Sequence, residues 1–286
     1  DGMHCIIDPD NNDNIYSSSQ RGHLYRSLTG GAGGWNFHSI TDSINGIEEK
    51  GDWITPYLLD HGNSNTMFVG LKDIYRTTNL TTPDHTNVHW DNISAGQLVG
   101  SNIRDLKQSP VNRDLIYVAD VAGRMFKSTN ALAASPVWNQ MNNPSASDPL
   151  WLECHPLNPT TVYMVTGNNV WKSTDEGQTW TDITLNLPDV GFRCLIYQEN
   201  TNEILYLATD AGVYFKSADM DYWELFKENL PVNVPVRHLR IHYDAAQSYL
   251  FAGTYGRGIW KTEILDEYKP NLIFTTGSAT VNNTEV

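Results

Sequence analysis

Residues 173–180 read Ser-Thr-Asp-Glu-Gly-Gln-Thr-Trp, which sets a carboxylate (Asp175), two hydroxyls (Ser173 and Thr179), a glycine (Gly177) and an indole (Trp180) within eight positions. An acid beside hydroxyls is raw material for acid–base or nucleophilic chemistry, and equally for a turn. Three other carboxylates, Asp52, Asp105 and Glu153, stand near the starts of short apolar runs. A pair of such groups could hydrolyse a glycosidic bond if they faced each other across a cleft at about 5–9.5 Å. Close to them in sequence lie Trp53, Arg104 and Trp151, with Arg193 and Arg237 further on. Guanidinium forks bind carboxylates and indole faces stack on sugar rings, so this set would suit an acidic glycan.

The elements that must position these residues follow from an internal repeat. An aromatic residue followed by Lys or Arg and then Ser or Thr recurs at Tyr25-Arg26-Ser27, Tyr75-Arg76-Thr77, Phe126-Lys127-Ser128, Trp171-Lys172-Ser173, Phe215-Lys216-Ser217 and Trp260-Lys261-Thr262. Each follows an apolar run with its own aromatic: Tyr16, Phe68, Tyr117, Tyr163, Tyr206 and Phe251. Successive spacings between these are 52, 49, 46, 43 and 45 residues. Within one unit, CLIYQEN, ILYLAT, VYFKS and WELF are four short strands separated by turns rich in Asn, Asp and Gly. Four antiparallel strands per roughly 40–50 residues predict an all-β propeller, with six blade units recognisable over residues 1–264 and further blades possible upstream.

Trp35, Trp90, Trp138, Trp180 and Trp223 open the fourth strand of five units, and the sixth has no such tryptophan. Its fourth strand would come from sequence before Asp1 or from the tail run Leu272-Ile273-Phe274. An unpaired edge there could also pair between chains, giving self-association. Residues 265–286 read as a linker or the start of a further module.

In this frame the 173–180 stretch falls between the third and fourth strands of the fourth unit. Degenerate forms occupy the same place at 27–35, 128–138 and 217–223. Recurrence from blade to blade marks a turn: Asp175 accepts backbone N–H bonds, Gly177 takes positive φ and Trp180 packs. His4, Trp53, Arg104, Trp151, Arg193 and Arg237 precede their unit's second-strand aromatic by 12, 15, 13, 12, 13 and 14 residues. They are therefore expected near the start of each innermost strand, around one channel mouth, as ligand-binding residues. Asp52, Asp105 and Glu153 are the weaker, catalytic candidates.

Asp8-Pro-Asp10-Asn-Asn12-Asp-Asn14 has alternating oxygens like the start of a calcium loop. It lacks the glycine and distal Glu of an EF-hand, and its counterparts in other units are Asx-type turns. Calcium is thus a minor candidate, and no other cofactor or metal is expected. Gly30-Gly31-Ala32-Gly33-Gly34 lies in a turn, not between a strand and a helix, so a nucleotide loop is excluded.

The remaining composition narrows the partners. The 286 residues carry a formal charge of −14, which opposes a phosphate backbone and excludes nucleic acid. No apolar run reaches the roughly 18–20 residues of a membrane-spanning helix. Cys5, Cys154 and Cys194 are an odd, widely spaced set without a metal signature, and are expected to be buried free thiols.

The S-x-D-x-G-x-T-W stretch resembles the Asp-box, or BNR repeat, of sialidases, GH74 xyloglucanases and sortilin-type propellers. Segments 51–79 and 251–264 resemble BNR-repeat propellers of large secreted proteins from Bacteroidetes-type bacteria. The resemblance implies export by a type IX system and a secreted or cell-surface setting. It also implies that Ser173, Asp175, Gly177, Thr179 and Trp180 are structural. Sialidases hold the sialate carboxylate with three arginines from different blades. Phe192-Arg193 is similar to their F/Y-R-I-P motif but continues Cys-Leu, and no Tyr–Glu nucleophile pair can be assigned. The expectation is a non-catalytic module that binds an extracellular glycan or protein at the channel mouth, with a glycoside hydrolase of GH74 or sialidase type as the alternative.

Overall fold

The computed structural model describes residues 2–32, 36–145 and 147–265. Among them the strands form six antiparallel sheets, each built from chain-consecutive strands. Blade one holds β1 (Cys5–Ile7), β2 (Ile15–Ser18), β3 (Leu24–Ser27) and β4 (His38–Ser39). Blade two holds β5 (Tyr57–Asp60), β6 (Asn63–Gly70), β7 (Ile74–Thr77) and β8 (Asp91–Asn92). Blade three holds β9 (Ile103–Gln108), β10 (Ile116–Asp120), β11 (Met125–Ser128) and β12 (Asn139–Met141). Blade four holds β13 (Trp151–Cys154), β14 (Val162–Val165), β15 (Val170–Ser173) and β16 (Thr181–Asp182). Blade five holds β17 (Phe192–Gln198), β18 (Ile204–Thr209), β19 (Gly212–Lys216) and β20 (Glu224–Leu225). Blade six has three described strands, β21 (Val236–His242), β22 (Tyr249–Thr254) and β23 (Ile259–Glu263). The six-bladed propeller expected from the repeat is what forms.

Both faces of a blade meet a neighbour, which is why second strands are continuous apolar runs rather than alternating ones. Every residue of β10, β14 and β18 is buried. The apolar side chains pool between blades. One cluster joins Tyr16 and Leu24 of blade one to Met67, Val69 and Trp90 of blade two, and another joins Phe68 and Ile74 to Leu106 and Trp138 of blade three. Similar clusters join blades three and four, four and five, and five and six.

Polar latches cross the same boundaries, and they account for the repeat. In blades one to three the third-strand cation reaches the next blade's turn, whereas Lys216 of blade five donates to Ser217 O beside it (2.9 Å). Arg26 donates to the carbonyls of Leu80 and Thr82. Arg76 donates to those of Ala131 (2.8 Å) and Ala133 (2.9 Å), and Lys127 to that of Glu176 (3.0 Å). The tryptophan before the fourth strand of blades two to five reaches the other way. The Nε1–H of Trp90 donates to Ile40 O (2.6 Å), of Trp138 to Ile93 O (2.9 Å), of Trp180 to Asn142 O (3.1 Å) and of Trp223 to Ile183 O (2.8 Å). Trp35 and the Leu272–Phe274 run lie outside the described residues.

No such apolar cluster joins blade six to blade one among the described residues. Contact there is made at the axis, where the rings of His4 and His238 lie 6.1 Å apart. Away from the axis Ile7, Ile259 and Trp260 are exposed. Among the described residues β23 is the outer edge of its sheet, with no strand paired beyond it. Cys5 shares this face and is exposed, whereas Cys154 is half-buried and Cys194 buried. The expectation of three buried thiols is corrected for Cys5, because among the described residues no apolar cluster covers the face of β1 that carries it.

Candidate functional site

The three arginines share one backbone device. Ala119 and Asp120 pair with Asp105 and Ile103, so Arg104 is skipped in the ladder. Arg193 is skipped between Phe192 and Cys194, and Arg237 between Val236 and His238. Each is the second residue of an innermost strand, in blades three, five and six, and each sits on a β-bulge. A bulge re-aims a side chain that would otherwise follow the pleat. Here it delivers three guanidinium groups to the same end of the channel, the end where the inner strands begin.

Carboxylates on neighbouring loops hold them. Arg193 grips Asp210 with two parallel bonds, Nε to Oδ1 at 2.9 Å and an Nη to Oδ2 at 2.5 Å. Arg237 approaches the same Asp210 at 3.5 Å and lies 5.3 Å above the Tyr255 ring, which is 71% exposed. Two guanidiniums thus share one carboxylate, leaving an excess positive charge on this part of the rim. Arg104 pairs with Asp52 at 3.6 Å. The neighbouring Trp53 is 51% exposed, and its own N–H is tied to Asp52 at 2.8 Å.

His4 and Trp151 lie deeper. Trp151 packs edge-on to His238 at 5.3 Å across the axis, and His238 faces His4. His4 in turn lies 6.3 Å from Tyr57, whose hydroxyl donates to His4 O at 2.7 Å. Lys107 places its Nζ 3.8 Å from the centre of the Trp151 ring. Five blades thereby contribute to a plug across the channel. The six residues expected around one mouth divide between a rim (Trp53, Arg104, Arg193, Arg237) and this plug (His4, Trp151).

The carboxylate candidates are engaged. Buried Asp105 accepts the N–H of Leu106 (2.9 Å) and of Leu152 (2.6 Å), stapling β9 to β13. Glu153 is 3.6 Å from Lys107 and accepts the Tyr197 N–H at 3.4 Å, linking blades three, four and five. Burial raises the pKa of both, and the Lys107 charge opposes the rise. Burial, followed by the charge of Arg240, pushes His238 down to about 3 and also lowers His4, so the plug imidazoles are neutral at pH 7.

Residues 173–180 form the turn between β15 and β16. The Ser173 hydroxyl donates to Asp175 (2.8 Å) and accepts the Gly177 N–H (2.8 Å). Asp175 also accepts the N–H (2.8 Å) and hydroxyl (2.6 Å) of Thr179, whose bonds hold its pKa at about 2. Gly177 has φ +77°. The Asp8 loop closes by Asx turns: Asp8 accepts the Asp10 N–H (2.9 Å) and the Asn14 side-chain amide (2.8 Å). Among the described residues no group of three or more His, Cys, Asp and Glu could hold a metal ion. No helix among them is long and apolar enough to cross a membrane.

Below the plug, toward the end where the inner strands finish, lie two cavities of about 300 and 370 Å³. Both are bounded by His61, Lys107, Gln108 and Arg240. None of these four was singled out in the sequence. The available signal was their place on or beside innermost strands, three residues past Arg104 (Lys107) and Arg237 (Arg240).

Fold and channel define a β-propeller with a charged rim and a plugged axis. Residues 82–256 match the DUF6242 beta propeller domain, and the chain belongs to that family. No curated protein matches the chain. Among solved structures it is similar to an ancestral GH74 enzyme, with 17% identity and a TM-score of 0.69 over 94% of this chain and 39% of the other. The chain therefore spans well under half of that enzyme. It is also similar to YCF48 bound to D1 peptide, with 12% identity and a TM-score of 0.58 over 91% and 80% of the two chains. YCF48 from Cyanidioschyzon merolae gives 8% identity and a TM-score of 0.57 over 92% and 81%. At these identities the likeness shows the fold alone.

Proposed function

We propose that this chain is a non-catalytic binding propeller whose upper rim recognises an acidic group on an extracellular glycan or protein. The observation that carries the reading is the delivery of Arg104, Arg193 and Arg237 to one rim by equivalent bulges. Trp53 and Tyr255 add exposed ring faces beside them. Asp210 acts as an internal stand-in for the ligand, holding Arg193 and Arg237 at the spacing one carboxylate requires. The engagement of Asp105 and Glu153 with backbone N–H groups and Lys107 argues for binding without turnover. A protein ligand has the support of a propeller of the same fold, YCF48, solved with a peptide. The extracellular, cell-surface setting belongs to this proposal and is carried by the BNR-type resemblance. The test is binding of the purified protein to arrays of acidic and neutral glycans and of acidic peptides, repeated with Arg193→Gln/Arg237→Gln. Selective capture of acidic probes that the double variant loses supports the reading; capture indifferent to probe charge sinks it.

The fold likeness to a GH74 enzyme favours one alternative, a glycoside hydrolase using two of Asp52, Asp105 and Glu153. It requires reducing-end or sialic-acid release from polysaccharides or sialosides, abolished by Asp52→Ala, Asp105→Ala or Glu153→Ala in folded protein.

A further inference from the structure

We infer that the lower half of the central channel is a second ligand site, in which Arg240 takes the carboxylate of a small organic acid or of a peptide chain end. The site is independent of the rim because the Trp151–His238–His4 plug separates the two. Its cavities, about 300 and 370 Å³, fall at the lower end of the range of small-molecule pockets, about 300–1,000 Å³.

Arg240 is the observation that calls for a ligand. Its neighbour Leu239 is buried in the core between blades five and six, while Arg240 itself borders both cavities. It makes no hydrogen bond or ion pair among the described residues. The other arginines of the blade interiors and upper rim are engaged: Arg26 and Arg76 with carbonyls, Arg113 with Asp60, Arg104 with Asp52, and Arg193 and Arg237 with Asp210. A guanidinium carries five N–H donors in a fork matched to a carboxylate, and Arg240, an exposed residue, leaves that fork open to solvent where it borders the two cavities. Lys107 supplies a second positive charge, shared with Glu153 at 3.6 Å. The field of the two cations also reaches the plug, where it adds to burial in keeping His238 and His4 neutral.

The acidic groups select the ligand's class. Asp10 borders the larger cavity and Glu199 the smaller, with Asp105 and Glu153 further in, and Asp60, paired with Arg113, also lines the larger one. Five carboxylates against two cations disfavour a polyphosphate or a polyanion. They suit a ligand with one carboxylate for Arg240 and hydroxyl or amide donors for Glu153 or Glu199. Tyr243, which accepts the Glu199 N–H at 2.7 Å, lines the same wall with its hydroxyl proton available.

The site is tested by an NMR titration of the arginine Nε–H and tryptophan Nε1–H signals of the purified protein. Three probes are added in turn: lactate, trialanine with a free C-terminus, and trialanine amide. The expected result is a saturable shift of Arg240 and Trp151 with at least one carboxylate probe and none with the amide. Response to lactate alone assigns a small acid, and response to the free peptide alone assigns a chain end. Arg240→Gln should weaken binding by about tenfold or more, the scale of a lost charged hydrogen bond, while Arg237→Gln leaves it unchanged. Since Arg240 holds no partner, its loss should leave the fold intact, and the wild-type shifts locate the site without any variant. No saturable shift with either carboxylate, equal binding by Arg240→Gln, or loss of binding on Arg237→Gln would overturn the assignment.

Discussion

Trp138 of blade three donates its indole N–H to the carbonyl of Ile93 in blade two at 2.9 Å, and Arg76 of blade two returns the contact by donating to Ala131 and Ala133 of blade three. The two bonds run in opposite directions across one boundary. They bind the outer strand of one blade to the outer turn of the next, where the apolar cluster thins toward solvent. A propeller held only by its apolar faces would fix packing but leave the rim of each blade free to slide.

Removing one arm of the latch should therefore cost stability. Trp138→Phe leaves the Ile93 carbonyl unpaired and should destabilise by about 1–3 kcal/mol. Arg76→Met strips the buried Ala131 carbonyl and the half-buried Ala133 carbonyl of a charged donor and should cost more, about 2–4 kcal/mol. Urea unfolding monitored by circular dichroism reads both; a change below a few tenths of a kcal/mol in either would show the latches to be incidental.

Gly177 tests the turn between β15 and β16. Its φ is +77°, and a Cβ there would come within 1.9 Å of the Met141 methyl. Gly177→Ala should lower stability by about 1–2 kcal/mol from backbone strain, with Met141 forced to move. An unchanged melting temperature would contradict this.

Asp175 should give the same turn a pH signature. Its pKa is held at about 2, below the ordinary carboxylate value, by the bonds from Thr179 and Ser173. Unfolding releases those bonds, so their contribution is present above the unfolded pKa of about 4 and fades as the pH falls toward 2. Asp175→Asn should be less stable than wild type at pH 6, with the gap narrowing below about pH 4 and disappearing only as the pH falls through about 2. A gap independent of pH would assign the loss to packing.

His238 carries the opposite charge type but the same pH direction. Burial and Arg240 hold its folded pKa at about 3, against about 6.5 in the unfolded chain. The unfolded state therefore binds the extra proton as the pH falls below about 6.5, and stability declines from there toward 3. NMR titration should find His238 neutral at pH 5. Arg240→Gln should raise its pKa, and a His238 that titrates near 6.5 would remove the plug's electrostatic account.

How much of this was legible beforehand depends on what a sequence can record. The Tyr-Arg-Ser and Trp-Lys-Ser repeats and the fourth-strand tryptophans disclosed six blades because period and residue type are written along the chain. Their partners were not disclosed, since Leu80 O or Ile93 O is a backbone carbonyl with no side-chain signature. Arg104, Arg193 and Arg237 stand out by their similar offsets, but the bulges that aim them depend on ladder register. Trp151 and His4 share those offsets and turn into the axis instead, because an indole and an imidazole can fill a narrow channel that a charged guanidinium would leave for water. Asp210, Lys107 and Arg240 were missed. Asp210 sits in a turn after β18, and the other two become neighbours only when blades three and six close around the axis.

The rim's binding role is tested most directly by titrating the protein with an oligogalacturonate and with an oligoglutamate peptide, in wild type, Arg193→Gln/Arg237→Gln and Asp210→Asn. If Asp210 stands in for a ligand carboxylate, wild type binds at least one probe, the double variant loses it, and Asp210→Asn binds more tightly because both guanidiniums are released. Rising salt should weaken all such binding. Failure of both probes to bind wild type and Asp210→Asn, or equal binding by the double variant, would contradict the account.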